Sequence, residues 1–347
     1  MSKKILITAI TGFRNHGVEA LARSIVAGIR EYCPDAEIDV LTQDPAYDSA
    51  VGANLNVNFI DDPWRPNKNA FKRALVSRIA RYIPQLDNRG SFIGKYDMVV
   101  VSGGDMFGPN YGNFDPDLMP LRECQKQGIP YVFIGQSIGQ FRDAEEARSF
   151  VEVAGKAARI YLRESISLKY LKDGLSLPSS ILAEAPDPAF MLPVAENSKQ
   201  LRSSILGNET DRYITMSVSQ GVTGFAGVGD SKHVEALVRV VDYFTEVQNL
   251  PVVLIPHVAE TYHPNDDGLC ALKVLKRSAN PGMVKIAPNH LSASEYKAIV
   301  ADSEFLLAER MHAAIGGLST TVPVFCIGYS IKYRGILGDL FGDSIAD

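Results

Sequence analysis

Cysteine is scarce and scattered. Cys33, Cys124, Cys270 and Cys326 form no CxxC pair, which argues against a structural zinc site and against a disulfide framework. Cys326 falls in an apolar run and reads as a small buried hydrophobe. No run of apolar residues approaches the length that spans a bilayer. The apolar run after Lys3 and Lys4 is too short for a secretory signal and reads better as a first strand. Positive charge is not in excess: 35 Lys and Arg stand against 40 Asp and Glu, a net charge of −5, so the overall field does not favour nucleic acid. Any anion site must be a local cluster. There is no low-complexity segment. The first strand–helix turn has neither GxGxxG nor Walker spacing, which disfavours a dinucleotide or ATP. What remains is the composition of a soluble, cytoplasmic globular protein, 46% hydrophobic and 22% charged, whose 347 residues accommodate two domains.

What is present is an alternation of short apolar runs with helical-period segments. Ile5–Ile7, Glu37–Leu41, Leu55–Ile60, Tyr96–Val101, Ile129–Ile134 and Arg159–Leu162 read as strands, with helices at Val18–Tyr32 and Ala144–Ala157. A second set begins after a polar stretch: strands at Tyr213–Val218, Val252–Ile255, Glu304–Leu307 and Val324–Ile327, helices at His233–Val247, Ser294–Ala301 and Met311–Leu318. Unbroken apolar strands between helices imply parallel sheets covered on both faces. Two such sets predict an α/β protein of two Rossmann-like domains, residues 1–190 and 191–347. Ligands of such sheets bind at the carboxyl ends of strands.

Chemistry-bearing residues cluster at those ends. Glu309-Arg310-Met311-His312-Ala313-Ala314 stands where a strand gives way to a helix, and Gly328-Tyr329-Ser330-Ile331-Lys332 follows the next strand. An arginine, a histidine and a lysine at successive strand ends, beside a helix N-terminus, suit a small multiply charged anion. Arg163 begins a helix, where a cation does not complement the dipole. It is expected to meet an anion, the alternative being a salt bridge to Glu164 or Asp187. In the first turn, Asn15, His16 and Glu19 are placed to approach a substrate hydroxyl. Gly103 and Gly104 after a buried strand leave room for a ligand, with Asp105 projecting beside them and Phe107 and Tyr111 as sugar-stacking faces. Gln136 and Ser137 occupy the next strand end. His257 reads as a substrate contact. His257, His263, Asp266 and Asp267 in one loop form an incomplete metal set, and no metal is expected. Pro186-Asp187-Pro188 is rigid and extended. Residues 71–83 read as a basic amphipathic helix that packs on the core or lies on an anionic membrane at its inner face.

Taken in order, Asn15-x-Gly17-x-Glu19-Ala20, Asp97 to Asp105, Gly135-Gln136-Ser137-Ile138-Gly139, Arg163-Glu164-Ser165, Pro186 to Phe190, Leu291 to Ala301, Arg310 to Ala313 and Gly328 to Lys332 make the chain resemble the polysaccharide pyruvyl transferases. The resemblance covers nearly the whole chain. It implies two domains facing across a cleft in a glycosyltransferase-B type fold, with the acceptor on the N-terminal side and the donor on the C-terminal side. It implies transfer of the pyruvyl group of phosphoenolpyruvate to two hydroxyls of one sugar, in a polysaccharide or its lipid-linked precursor, as a cyclic ketal with release of phosphate. The family's donor-binding residues match Arg163, Arg310, His312 and Lys332. Two departures stand out: Glu164 replaces the family's usual Asp, and the chain ends soon after Leu340-Phe341-Gly342, where relatives often continue.

Phosphoenolpyruvate carries a carboxylate and a phosphate on one small frame, so two or three cations must converge on it. His312 is the expected acid. Asp105, then His16, then Glu19, are candidates for the base on the acceptor side. Arginine and lysine neutralise the donor, so no metal or cofactor is expected. The competing readings are a sugar-nucleotide-dependent glycosyltransferase, for which Glu309 would hold a ribose diol, and a non-catalytic glycan- or anion-binding protein.

Overall fold

The computed structural model describes residues 2–65, 89–108, 113–207, 212–225, 227, 229–260, 265–328, 331–342 and 344. The basic stretch 71–83, Tyr111, His263, Tyr329 and Ser330 lie outside them. The chain divides into two compact units, Met1–Gly12 with Ile25–Pro188, and Phe13–Ser24 with Ala189–Asp347. The sequence pattern places Asn15, His16 and Glu19 with the N-terminal half. Here the first half of the helix His16–Tyr32 groups with the second unit instead.

The first unit holds a seven-stranded sheet in the order β3-β2-β1-β4-β5-β6-β7. Its strands are β1 (Lys4–Ile10), β2 (Glu37–Thr42), β3 (Asn58–Asp61), β4 (Met98–Val101), β5 (Tyr131–Gln136), β6 (Arg159–Leu162) and β7 (Leu182–Glu184). Every pairing is parallel. The central strands are apolar without interruption because helices cover both faces: Leu6, Ile7, Val99 and Val101 are fully buried. Phe107 is also fully buried, edge-on to Phe114 and Phe133 at 5.6 and 5.7 Å. It is a core residue and not a sugar-stacking face.

The second unit holds a five-stranded parallel sheet, β10-β9-β8-β11-β12. These strands are β8 (Ile214–Ser217), β9 (Val252–Leu254), β10 (Val284–Ile286), β11 (Leu306–Ala308) and β12 (Val324–Cys326). One core lies on the face of the helices Ala293–Ala301 and Met311–Leu318, with Ala20, Leu21, Tyr296, Ile299 and Ile315. Another lies beneath the helices Asp230–Asp242 and Asp267–Arg277, with Leu237, Val241 and Val274. The strand order reverses between β1 and β4 in one sheet and between β8 and β11 in the other, which is where doubly wound sheets bind ligands. Asp266 and Asp267, expected in a loop, instead open a helix. Asp266 is its N-cap and accepts the Gly268 N–H at 2.9 Å. Among the described residues no helix is long and apolar enough to cross a membrane.

Candidate functional site

In the second unit the carboxyl end of β11 leads through Glu309 into Arg310 and His312. Glu309 follows β11, and its N–H donates to the Ser217 carbonyl at 2.9 Å. Its carboxylate accepts the Ser219 N–H at 2.7 Å and lies 2.7 Å from His233 Nε2, at 1% exposure. Glu309 is therefore sequestered and does not present a carboxylate to a ribose diol. Arg310 is the N-cap of the helix Met311–Leu318. Its guanidinium meets Asp267 side-on, Nε to Oδ2 at 3.0 Å and the terminal nitrogen to Oδ1 at 2.6 Å, and also reaches Asn265 at 3.1 Å. Asp267 is fully buried and accepts the Gln220 and Val258 N–H groups, both at 3.0 Å. Burial raises its carboxyl above the ordinary value against the pull of Arg310. It fixes the arginine's plane. Among the described residues no three His, Cys, Asp or Glu side chains could hold a metal.

Two residues on from Arg310, His312 packs against the start of the helix His16–Tyr32. A Cβ on Gly17 would lie 2.3 Å from His312 Nδ1, so only glycine fits there. Asn15 Oδ1 accepts the Gly17 N–H at 3.0 Å, and Asn15 pairs in an isolated bridge with Val258. Asn15 therefore secures the helix entry. The His16 N–H donates to the His257 carbonyl at 2.9 Å. Three imidazoles, His16, His257 and His312, line a narrow recess with Tyr296 and Lys297. His16 stands edge-on to Tyr296 at 4.5 Å and to His257 at 6.3 Å. Burial first, and then the neighbouring His16, His312 and Arg310 groups, hold His257 well below the ordinary histidine value, so it is neutral at pH 7. His16 Nε2 and His257 Nδ1 are buried without a hydrogen-bond partner among the described residues. Lys332 is half-buried in the first turn of the helix Ile331–Phe341. Tyr333 beside it donates its hydroxyl to the Glu309 carbonyl at 2.6 Å.

The first unit places its candidates differently. The anion that Arg163 meets is the protein's own Asp187, at 2.6 Å, and its Nε donates to Ser137 Oγ at 2.7 Å. Both charged side chains are essentially inaccessible. Burial pulls the guanidinium down, but the charges of Asp187 and Asp105 outweigh it and hold Arg163 above its ordinary value. This arginine is a buried structural partner. The room expected beside Gly103 is taken by the neighbouring strand, since a Cβ there would lie 2.4 Å from the Gly135 carbonyl oxygen. Gly104, at φ 131° with nothing near its missing Cβ, is the open position. Gln136 Nε2 donates to the Ser102 carbonyl at 2.5 Å. Thr8 Oγ1, Ser102 Oγ and Gln136 Oε1, at the carboxyl ends of β1, β4 and β5, are buried without a partner among the described residues.

Comparison with known proteins places the chain in a family. Residues 15–331 match the family model described as polysaccharide pyruvyl transferase. The chain belongs to that family. This polysaccharide pyruvyl transferase family member is also similar in fold to solved structures of very different sequence. A UDP-GlcNAc 2-epimerase from Methanocaldococcus jannaschii aligns at TM-score 0.57 and 12% identity, over 98% of this chain and 86% of that one. The Neisseria meningitidis UDP-GlcNAc 2-epimerase, bound to UDP-GlcNAc, aligns at 0.58 and 12%, over 94% and 83%. A glycosyltransferase from Rickettsia africae aligns at 0.56 and 12%, over 96% and 81%. At such identities the likeness establishes the fold alone, an α/β architecture of glycosyltransferase-B type with two parallel sheets.

Several polar residues of this family member escape sequence reasoning. Asp267 lies 43 positions from Arg310, and His233 lies 76 from Glu309; no local pattern links such pairs. Lys297 reads as a surface lysine of an amphipathic helix, yet it is 6% exposed and donates to the Leu192 carbonyl at 2.6 Å. Burial lowers its amine below the ordinary lysine value. Ser292 and Glu295 spell a capping box that sequence does reveal.

Proposed function

We propose that the protein transfers the pyruvyl group of phosphoenolpyruvate onto two hydroxyls of one sugar, forming a cyclic ketal and releasing phosphate. The observation that carries this reading is the convergence of Arg310 and His312 at the β11 end, with the imidazoles of His16 and His257 in one recess. Lys332 opens the helix after the next strand. A planar, oriented guanidinium and a helix N-terminus suit a carboxylate and a phosphate on one small frame. His312, in the first turn of its helix, is the group to protonate the methylene carbon C3, which makes C2 electrophilic. A sugar hydroxyl then attacks C2, phosphate departs, and a neighbouring hydroxyl closes the ketal. Of the two protons given up by the hydroxyls, one ends on C3 and the other on phosphate, so the reaction is balanced without a redox partner.

The acceptor is a glycan or its lipid-linked precursor in the cytoplasm, and the donor supplies the chemistry without a further cofactor or metal. The sequestration of Glu309 supports a donor other than a sugar nucleotide. Calorimetric titration with phosphoenolpyruvate, UDP and UDP-GlcNAc, on wild type and Arg310→Ala, tests the reading. Binding of phosphoenolpyruvate that is lost in the variant, with no nucleotide binding, is expected. Nucleotide binding without a response to phosphoenolpyruvate would point to glycosyl transfer instead.

A further inference from the structure

The buried Glu19 carboxylate is enclosed by two fixed N–H donors and an imidazole. Arg23 Nε stands 2.6 Å from Oε1, and the Ala293 N–H and His16 Nδ1 stand 3.0 and 2.8 Å from Oε2. Both oxygens of Glu19 are already taken by these partners, so this carboxylate meets protein and not substrate. With the Arg23 guanidinium on Oε1 and the Ala293 N–H on Oε2, the carboxylate acts as an acceptor and takes a hydrogen bond from the imidazole as well. The His16 proton then sits on Nδ1 and the lone pair on Nε2. That Nε2 is buried and unpartnered among the described residues, on a ring that lines the recess shared with His257, His312, Tyr296 and Lys297. The recess has about 10 Å³ of space for water-sized spheres, room for roughly one oxygen atom.

An imidazole oriented by a carboxylate, with its far nitrogen bare in a site, lacks only the O–H that it would accept from. Resting on the pyruvyl-transfer reading above, we propose that His16 Nε2 takes the proton of the attacking sugar hydroxyl and that Glu19 is its positioning residue. In that step an oxygen lone pair of the hydroxyl forms the bond to C2, its proton passes to the Nε2 lone pair, and the electron pair of the broken O–H bond stays on oxygen. Asp105 is the weaker choice, because its charge already answers Arg163.

The test uses full-length protein labelled with ¹⁵N-histidine, the His16 signals being assigned by their loss in His16→Gln. At neutral pH His16 is expected to carry its proton on Nδ1 with Nε2 bare, and Glu19→Gln is expected to shift or mix the tautomers. A proton on Nε2 in wild type, or a tautomer indifferent to Glu19→Gln, overturns the proposal. If Glu19→Gln does not fold, the wild-type tautomer decides. Phosphate release from phosphoenolpyruvate, with methyl galactoside and methyl glucoside as diol probes, is the second readout. His16→Gln should lower kcat by about 10²-fold or more, with a smaller change in the donor KM, and Glu19→Gln should move the acidic limb of the rate profile. Wild-type release retained in both variants with an unmoved limb overturns the dyad alone. Absence of both phosphoenolpyruvate binding and release in wild type overturns the pyruvyl-transfer reading itself.

Discussion

Two arginines at strand ends, each beside a buried carboxylate, have different fates in the two units. Arg163 and Asp187 are closed off together, with side-chain exposures of 1% and 0%. Arg310 keeps 15% side-chain exposure over a fully buried Asp267, next to a recess lined by imidazoles. The first pair is architecture. The second is a cation held in a fixed plane with an edge still accessible. The neutral polar groups differ in the same sense. The first unit ends its central strands with a hydroxyl–amide set, Thr8, Ser102 and Gln136, suited to sugar hydroxyls, whereas the second collects groups suited to an anion. The lesson is that residue type at a strand end does not identify a site. What distinguishes it is whether the protein has already supplied the partner.

The sharpest way to break this contrast is to remove each arginine. Arg163→Ala leaves Asp187 charged and buried, so it should cost about 3–5 kcal/mol of stability in urea unfolding. A loss under about 1 kcal/mol would mean that the pair is not structural. Arg310→Ala should weaken phosphoenolpyruvate binding by about 2–3 kcal/mol in calorimetry, with less harm to folding. Equal effects on folding in the two variants would erase the distinction. Gly17→Ala sets a methyl against His312 and should cost about 1–3 kcal/mol while lowering phosphate release.

The pH dependence is the next smaller effect. The folded protein leaves His257 neutral below the ordinary histidine value, while the unfolded chain takes up the proton near pH 6.5. Stability is therefore unaffected above pH 6.5. As pH falls below it, stability declines by up to about 1.4 kcal/mol per pH unit until the depressed folded value is reached. His257→Gln should flatten that slope in thermal unfolding measured from pH 7.5 to 5. The smallest effect is Ser102→Ala, which removes a hydroxyl without a protein partner. Stability should change by no more than about 0.5 kcal/mol, while the KM for a diol probe should rise.

Much of this fold is legible in the sequence because parallel strands buried on both faces are written as apolar runs such as Met98–Val101 and Val252–Leu254. The short β7 and β10 carry only three residues each, one or more of them half-buried or exposed, and give no comparable signal. The local part of the site is legible too. His16 and Glu19 are three apart at the start of a helix, so they share a face, although the sequence offers them as rival bases and the structure makes them one unit. Long-range partnerships are not legible. Asp267 resembles half of a metal set until the helix it opens brings it to Arg310, and nothing near Arg163 says which of Glu164 and Asp187 answers it.

The grouping of Phe13–Ser24 with the second unit has a consequence for modularity. The polypeptide passes between its two units after residues 12, 24 and 188, so no single cut separates them. A chimera that exchanges catalytic halves between relatives at residue 188 alone would pair one parent's His16 and Glu19 with the other parent's Ala293, His257 and His312. Transplanting residues 13–24 together with the C-terminal portion keeps those partners from one lineage, and recombination libraries built that way should retain more working members than libraries built on the linear midpoint.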